Sequence, residues 1–304
     1  MTHVSDEIAS QPSTWRRALD LTPGGLPEPG ERVAVLGCGT SLYIAQAYAA
    51  LREAAGQGET DAFAASEFPA GRRYDRVLAI SRSGTTTEVL AALRQAVGTG
   101  TPTVAITGDT ATAISTAAAA VIDLGFADEK SVVQTRFATT ALVLLRAHLG
   151  LVPADLPEQA ERALLTPLPQ GAVAARQFTF LGAGWTVGLA NEAALKLREA
   201  SGSWTESYPA MEYRHGPVSV TEPGSVVWFF GPPPAGLLDE VRAIGALASV
   251  SDLDPLADLI RAQRLAVELA HGRGLDPDQP RNLTRSVVLT APAGPGSSGP
   301  EGTA

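Results

Sequence analysis

The chain has 304 residues, 45% of them hydrophobic, and a formal net charge of −9 at pH 7. This acidity disfavours nucleic acid or an anionic membrane as a partner, because both are recognised by basic surfaces. The single cysteine, Cys38, excludes an internal disulfide framework, and no apolar run reaches the ~20 residues that cross a bilayer.

The N-terminal sequence and the positions of the histidines give expectations about location and metal binding. The N-terminus shows no signal-peptide pattern, so we expect a soluble cytoplasmic protein. The four histidines lie far apart in the sequence, and no Cys/His spacing indicates a metal site. We expect neither a metal nor a cofactor.

Short apolar runs alternate with helical patterns from residue 32 onwards. Continuous apolar strands alternating with helices indicate a parallel sheet covered on both faces. The sequence therefore predicts an α/β fold, beginning with a three-layer α/β/α lobe. Its predicted elements, in chain order, are strand 32–37, helix 41–54, strand 76–80, helix 85–97, strand 101–107, helix 110–119, strand 120–125 and helix 131–149.

The same pattern begins again in the second half of the chain. The segment VAVLGCGTSLYIAQAYAALRE (33–53) matches FTFLGAGWTVGLANEAALKLRE (178–199) with one residue of gap. This internal duplication predicts two similar three-layer α/β/α lobes with parallel sheets. Further strands are predicted at 225–231 and at 286–292.

Composition and the repeat together suggest the domain boundaries. A Pro-containing stretch separates the two repeats, and a Gly/Pro/Ser-rich stretch follows the second. The predicted units are an N-terminal extension with one helix (1–28), a first lobe (29–151), a connector with one short helix (152–171), a second lobe (172–292) and a disordered tail (293–304).

The segment ISRSGTTTEVL (80–90) places five hydroxyl side chains around Gly84 where a predicted strand becomes a helix. Backbone N–H groups at a helix N-terminus stabilise an anion, and hydroxyls add neutral donors. The corresponding turn of the second lobe, GPPPAG (231–236), has no hydroxyls. The first turn therefore predicts a site for a phosphate monoester, with an ordinary Ser/Thr N-cap as the alternative.

A second informative segment is 191–217. Glu192, Lys196 and Glu199 are spaced i, i+4 and i+7, so they share one face of a predicted helix. The spacing alone also fits a solvated salt-bridge stripe, although the flanking Ala and Leu residues favour a packed helix. His215 follows sixteen residues after Glu199, and its position alone favours a structural role.

Taken together, six motifs in this order resemble the sugar isomerase (SIS) family of phosphosugar-binding domains. The family includes the isomerase half of glucosamine-6-phosphate synthase, sugar-phosphate isomerases and amino-sugar-phosphate deaminases. The resemblance implies tandem SIS domains. The motifs are CGTS (38–41), SRSGTT (81–86), EKSVVQTR (129–136), EAALKLRE (192–199), EYRHGP (212–217) and PRNLTRSVVL (280–289).

The resemblance also implies roles for individual residues. Glu199 would be the general base that moves a proton between C1 and C2 of the open-chain sugar, with Lys196 tuning it. His215 would assist ring opening from the partner subunit of a homodimer. The residues implied to bind the phosphate or the sugar are Thr40, Ser41, Ser81, Arg82, Ser83, Thr86, Val132 and Glu192.

Three positions depart from the family pattern. The chain begins at Met1 and lacks the N-terminal cysteine of a glutaminase domain, so we expect no glutamine-dependent amidotransfer. Arg285 replaces a lysine that can form an imine with the sugar. Since arginine stays protonated, its catalytic role would be limited to positioning and charge stabilisation. Arg82 stands where glutamine is common and would add a cation beside the phosphate.

The expected function is that of an enzyme with a sugar phosphate as its small-molecule partner. It would abstract a proton next to the carbonyl of a 6-phosphorylated sugar such as glucosamine 6-phosphate or N-acetylglucosamine 6-phosphate. Reprotonation gives aldose–ketose isomerisation and, on an amino sugar, loss of ammonia. Elimination of a C3 substituent would instead make the enzyme a dehydratase or lyase. A non-catalytic phosphosugar sensor is the remaining alternative.

Overall fold

The computed structural model describes residues 2–69 and 71–289. Within them lie two parallel β-sheets, one of five strands and one of four, so the predicted α/β class with parallel sheets is confirmed. None of the helices in these ranges combines the length and the apolar character of a membrane span.

The first half of the chain forms the five-stranded sheet. In chain order its elements are α1 (His3–Ala9), α2 (Gln11–Leu19), β1 (Val33–Gly37), α3 (Thr40–Ala54), β2 (Thr60–Ala64), β3 (Arg76–Ser81), α4 (Thr87–Gly98), β4 (Thr103–Thr107), α5 (Ile114–Ala117), β5 (Ala120–Asp123) and α6 (Arg136–His148). The strands are ordered β2-β1-β3-β4-β5, and all neighbours are parallel.

This sheet is buried on both faces, because alternate residues of β1 join different cores. Val33 and Val35 pack in a cluster with residues of α3 and α6, whereas Ala34 and Leu36 pack in a cluster with residues of α4. Successive side chains of a strand point to opposite faces, so both faces must be apolar. This explains the unbroken apolar runs in the sequence.

The second half forms the four-stranded sheet. Its elements are α7 (Leu156–Leu165), β6 (Phe178–Gly182), α8 (Thr186–Ser201), β7 (Thr205–Pro209), β8 (Val226–Phe230), α9 (Leu237–Ile244), β9 (Leu247–Ser249) and α10 (Pro255–Gly272). The strands are ordered β7-β6-β8-β9 and are again parallel.

The first strand of each repeat ends in a glycine. A Cβ on Gly37, at the end of β1, or on Gly182, at the end of β6, would overlap the backbone of the following helix. Gly39 and Gly184 come next but one, and each has a φ of 56°, which favours glycine. The repeated sequence therefore produces the same tight strand-to-helix turn twice.

The two halves pack against each other through α3 and α8. A Cβ on Gly188 would overlap the backbone of Tyr43 and Ala47, so the glycine allows the two helices to approach closely. A buried ion pair between Arg146 of α6 and Asp254 also joins the two halves, and both of its N–O distances are 2.8 Å. Asp254 in addition caps the N-terminus of α10.

Some predicted elements differ from the structure. The helix predicted at 110–119 is reduced to the single turn α5. The strand predicted at 286–292 does not form in residues 286–289, and residues 290–292 lie outside the described ranges. The disordered tail predicted at 293–304 also lies outside them.

Other elements were not predicted. The N-terminal segment contains two helices, α1 and α2, where the sequence predicted one. The edge strands β2, β7 and β9 and the helices α9 and α10 were not recognised. These edge strands are only partly buried, so they lack the continuous apolar runs of the central strands.

A charged pair lies inside the core of the second half. Trp228 Nε1 donates a hydrogen bond of 2.6 Å to one Asp258 oxygen, and Arg261 donates one of 2.7 Å to the other. Burial raises the pKa of Asp258, with Arg261 opposing the shift. Because neither charge is hydrated, removal of one leaves the other uncompensated.

We therefore predict that Asp258→Asn lowers the free energy of unfolding by about 3 kcal/mol or more, because Arg261 stays buried without its counter-ion. The matched control is Asp239→Asn, whose side chain is 87% exposed and whose effect should stay within about 0.5 kcal/mol. Urea unfolding of both variants measures the difference. If both variants lowered the free energy of unfolding equally, this would contradict the role of Asp258 as the counter-ion of Arg261.

Candidate active site

The hydroxyl-rich segment 81–87, called here the hydroxyl turn, connects β3 to α4. Ser81 and Ser83 are buried, and Thr86 is the N-cap residue of α4. Gly84 has a φ of 63°, and a Cβ there would overlap the Thr112 side chain. The glycine is therefore required for the turn to close, and it brings the hydroxyls to the start of a helix, as expected for an anion site.

Because β1 and β3 are adjacent and parallel, the turn after β1 reaches the same edge of the sheet. Thr40 and Ser41, at the start of α3, are both buried there. A small recess lies between the two turns, and several predicted site residues meet in it. Its lining residues are Cys38, Ser41, Ile80, Ser81, Arg82, Ser83, Thr86, Val89, Gln134 and Arg285.

The C-terminal segment lies against the hydroxyl turn. The Thr85 hydroxyl donates a hydrogen bond of 2.9 Å to Ser286 Oγ, and Thr87 N donates one of 3.2 Å to the Val287 carbonyl. Leu289 N in turn donates to Thr87 Oγ1 at 2.9 Å. Residues 286–289 are therefore anchored to the N-terminus of α4, which explains why they do not join a sheet.

Arg82 points away from the turn and into the protein. Its side chain is 1% exposed, and its terminal nitrogens donate to the carbonyls of Ser131 (2.9 Å) and Arg285 (3.0 Å). One of them lies 3.8 Å from Glu129 Oε2. Burial lowers the pKa of Arg82, although Glu129 opposes the shift. The cation that Arg82 adds beside the turn is therefore already paired with a carboxylate.

Glu129 begins the loop 129–135, which leads into α6. Its buried carboxylate accepts hydrogen bonds from Thr135 N (2.6 Å), Thr135 Oγ1 (2.8 Å) and Arg136 N (2.8 Å). Burial raises the pKa of Glu129, with Arg82 opposing the shift. Val132, in the middle of the loop, donates its N–H to the Asp278 carbonyl at 3.0 Å.

Arg285 is held in place by the same region. One guanidinium nitrogen, Nη2, lies 2.6 and 2.8 Å from the two carboxylate oxygens of Asp128, and the other, Nη1, donates to the Glu129 carbonyl. It lines the recess, but these contacts commit its donors to fastening the C-terminal segment onto the loop. This arrangement agrees with a positioning role.

Two of the predicted site residues of α8, Glu192 and Lys196, are packed inside the molecule. Lys196 is 1% exposed, and its ammonium donates to Thr40 Oγ1 at 2.8 Å and to Glu199 Oε2 at 2.5 Å. It also lies 3.5 Å from Glu192 Oε1. The alternative of a solvated stripe is therefore wrong, and Lys196 links the turn of the first sheet to a carboxylate of the second half.

Burial has opposite effects on the pKa values of Glu192 and Lys196. Burial raises the pKa of Glu192 to about 8, with Lys196 opposing the shift. Burial pulls the pKa of Lys196 down, but Glu192 and Glu199 outweigh it and the net shift is upward. At neutral pH Lys196 is therefore an ammonium, and Glu192 is the carboxyl group of the cluster whose pKa burial raises.

Glu199 has access to open space. Its side chain is 19% exposed, and it lines a cavity of about 700 Å³ between the end of α8 and the segment 273–282. Cavities of ~300–1,000 Å³ hold small molecules in proteins. A sugar phosphate could therefore approach this carboxylate, whereas Glu192 is sealed off.

His215 is not part of this cluster within one chain. It lies in a short 3₁₀ turn after β7 and its side chain is exposed. In the described ranges no hydrogen bond joins it to Glu199 or Lys196. The same ranges contain no group of His, Cys, Asp and Glu residues arranged to hold a metal ion.

Sequence reasoning missed Gln134 and Ser286 as candidate site residues. Both lie inside quoted motifs, but only the fold brings them to the hydroxyl turn. Gln134 Oε1 is buried and has no hydrogen-bond partner in the described ranges. An unsatisfied acceptor in a recess lined by donors is a candidate ligand contact.

Comparisons with known proteins agree with this arrangement. Residues 28–149 match the family model of the SIS domain. The isomerizing glutamine–fructose-6-phosphate aminotransferase of Methanothermobacter thermautotrophicus is 30% identical, over 93% of this chain and 57% of that protein. The chain thus spans little more than half the length of the curated relatives that it matches.

Solved structures extend the likeness in fold to nearly the whole chain. Glucosamine-6-phosphate deaminase from Thermotoga maritima superposes with a TM-score of 0.79 at 24% identity, covering 95% of this chain and all of that one. Tagatose-6-phosphate ketose/aldose isomerase from Escherichia coli superposes with a TM-score of 0.75 at 19% identity, covering 96% and 97%. Residues 28–149, which contain the first sheet and the hydroxyl turn, are therefore a SIS domain.

Proposed function

We propose that the chain is a phosphosugar enzyme that moves a proton between C1 and C2 of a 6-phosphorylated sugar, with amino sugars such as glucosamine 6-phosphate among its substrates. The observation that carries this proposal is the bridge formed by Lys196. Its ammonium contacts Thr40, beside the recess, and Glu199, which lines the large cavity. A phosphate held at the first sheet would thus bring a sugar towards a carboxylate of the second half.

The phosphate would bind at the hydroxyl turn. Ser81, Ser83 and Thr86 line the recess at the N-terminus of α4, where backbone N–H groups and the helix dipole favour an anion. Ser41 adds a hydroxyl from the neighbouring turn. Ser286 Oγ lies 3.4 Å from Thr86 Oγ1, and in this proposal the phosphate replaces that contact.

Glu199 would be the base, and Lys196 would be its partner. The carboxylate lies next to a cavity, so it can reach a proton on bound substrate. The ammonium places a positive charge beside it, and such a charge stabilises the enediolate oxygen that develops when the proton leaves. Because Lys196 is fixed by Thr40, little reorganisation is needed during reaction.

The few lysines of the sequence favour a reaction through an enediol over one through a lysine–sugar imine. The sequence contains two lysines, Lys130 and Lys196. Lys196 is held as an ammonium between Glu192 and Glu199, and an imine requires the neutral amine. Arg285 cannot form an imine either. We therefore place aldose–ketose isomerisation first, with loss of ammonia from an amino sugar as its extension.

Elimination is the second candidate reaction. The same proton abstraction followed by departure of a C3 substituent requires no imine, so the Arg285 position is equally compatible with a dehydratase or lyase acting on N-acetylglucosamine 6-phosphate. The names of the relatives, which are an isomerizing aminotransferase, a deaminase and a ketose/aldose isomerase, favour the first candidate. A non-catalytic sensor would have no use for a base that opens onto a cavity.

We also propose that the active unit is a homodimer in which the partner supplies His215. Within one chain the histidine is exposed, and in the described residues it makes no hydrogen bond with Glu199. The segment 204–220, which carries it, exposes Trp204 (82%), Met211 (52%) and Val220 (50%). Large apolar side chains exposed on one segment are typical of an interface.

The domain organisation remains a proposal as well. We interpret the two halves as tandem SIS lobes, at 29–151 and 172–292, joined by the connector 152–171. The repeated strand-Gly-x-Gly-helix turns and the separate parallel sheets support this interpretation.

The first test is Glu199→Gln, which keeps the shape of the side chain but removes the base. We predict that turnover falls at least ~100-fold while binding of the sugar phosphate persists. The substrates are hexose and hexosamine 6-phosphates in heavy water, with mass spectrometry to detect deuterium uptake, ammonia loss or water loss. Glu268→Gln, exposed on α10, is the control. A wild type that binds these sugars without any turnover would indicate a sensor.

The second test concerns the imine. Borohydride is added to the enzyme during turnover, because it would reduce a lysine–sugar imine to a stable adduct. We predict that intact-mass measurement finds no adduct, since Lys196 is protonated and Arg285 is unreactive. An adduct on Lys130 or Lys196 would contradict the enediol route.

The third test uses the proton on Glu192. The folded state holds this proton up to a pH of about 8, whereas an unfolded glutamate releases it near its ordinary pKa of about 4.3. Between these values the folded state binds more protons, so stability falls as the pH rises, by about 1.4 kcal/mol per pH unit at most. We predict that Glu192→Gln removes this slope in urea unfolding between pH 5 and 8. Parallel profiles for wild type and variant would contradict it.

A further inference from the structure

Glu7, on the N-terminal helix α1, is a buried carboxylate that no step above uses. It is 3% exposed. Its Oε1 accepts hydrogen bonds from Lys130 N at 2.6 Å and Ser131 N at 3.2 Å, and its Oε2 accepts one from the Ser131 hydroxyl. One side chain therefore satisfies three donors of a loop more than 120 residues away in sequence.

The residues that Glu7 contacts are connected to the recess through Arg82 and Gln134. The carbonyl of Ser131 accepts a hydrogen bond from Arg82, which belongs to the hydroxyl turn. Three residues further on, Gln134 lines the recess with an unpartnered Oε1. Arg82 Nε is likewise buried without a partner in the described ranges. The loop 129–135 thus presents Gln134 to the recess and also fixes Arg82.

A second carboxylate fixes α1 relative to this loop. Asp278 accepts hydrogen bonds from His3 N at 2.8 Å and Val4 N at 2.7 Å, at the start of the helix. The carbonyl of the same residue accepts one from Val132 N at 3.0 Å. The helix is thus joined to the loop both through Asp278 and through Glu7.

The loop depends on these contacts for its shape. Residues 129–135 contain no helix or strand, so their backbone donors are not satisfied by regular structure. Buried N–H groups that lose an acceptor destabilise the conformation that buries them, and hydrogen bonds to a carboxylate are among the stronger ones. Without the carboxylate of Glu7, the conformation that places Gln134 in the recess would lose three bonds at once.

We propose that Glu7 is a positioning residue that holds the loop 129–135 in its substrate-binding conformation. Through this contact, α1 sets the affinity for the sugar part of the substrate. The proposal rests on the proposed function in taking the recess as the place where a phosphosugar binds. The phosphate itself would still be held by the hydroxyls of the turn, which Glu7 does not contact.

The test is Glu7→Gln, which keeps the size of the side chain but replaces one acceptor oxygen with a donor. We expect KM for the sugar phosphate to rise about tenfold or more, because each charge-assisted hydrogen bond lost is equivalent to roughly a factor of ten in binding. We expect kcat to change by less than about threefold, since Glu199 and Lys196 are untouched. Affinity for inorganic phosphate should stay unchanged.

The matched control is Asp6→Asn, which makes the same change of charge on the exposed face of the same helix and should leave KM unaltered. Ser131→Ala is a milder variant that removes one contact to Glu7 and should shift KM in the same direction if Glu7→Gln fails to fold. Hydrogen exchange of the amides of residues 130–135 gives a readout without substrate, and it should accelerate in Glu7→Gln but not in Asp6→Asn.

The outcomes separate the two proposals. If KM and loop exchange in Glu7→Gln both match the wild type, the positioning role is wrong. If both phosphosugar and inorganic phosphate affinities fall in parallel with thermal stability, Glu7 is only structural and the proposal is also wrong. If the wild type acts on no phosphosugar, the proposed function fails. In that case, hydrogen exchange of residues 130–135 that is faster in Glu7→Gln but not in Asp6→Asn would still support the role of Glu7 in holding the loop.

Discussion

The ammonium of Lys196 is the interaction on which the candidate site depends. A charge that is 1% exposed cannot be hydrated, so it must be matched inside the protein. Three groups surround it, which are Thr40 at 2.8 Å, Glu199 at 2.5 Å and Glu192 at 3.5 Å. Because burial raises the pKa of Glu192, the cluster relies mainly on Glu199 to balance the charge of the ammonium. Its balance therefore depends on Glu199 staying where it can reach the cavity.

The rest of the site is held by contacts between segments that are far apart in the sequence. Arg285 pairs with Asp128, Glu7 binds the loop 129–135, and Asp278 joins both the first helix and that loop. Glu7 in particular accepts hydrogen bonds from backbone N–H groups of Lys130 and Ser131 that would otherwise lack partners. As a result the N-terminal helix, the loop and the C-terminal segment form one unit beside the hydroxyl turn.

The sequence predicted the parts of the molecule that depend on local pattern. The apolar runs of β1, β3, β4, β6 and β8 were recognised because strands buried on both faces leave no polar positions. The edge strands TDAFA and TESYP mix polar and apolar residues, and so they escaped recognition. Burial of Lys196 could not be decided, because solvated and packed stripes share the same spacing. Glu7 and Gln134 were missed because their roles come from contacts across more than 40 residues of chain.

The repeated turns suggest how the hydroxyl turn and Glu199 come to lie in one candidate site. Both halves build the same strand-Gly-x-Gly-helix turn, but only the first half places hydroxyls on its next turn, and only α8 carries the charged triad. Gly188 lets α8 approach α3 at backbone distance, and this contact brings Lys196 of one helix to Thr40 of the other. The contact between α3 and α8 therefore has two consequences: it joins the two halves of the chain, and it connects Thr40, beside the hydroxyl turn, to Glu199 through Lys196.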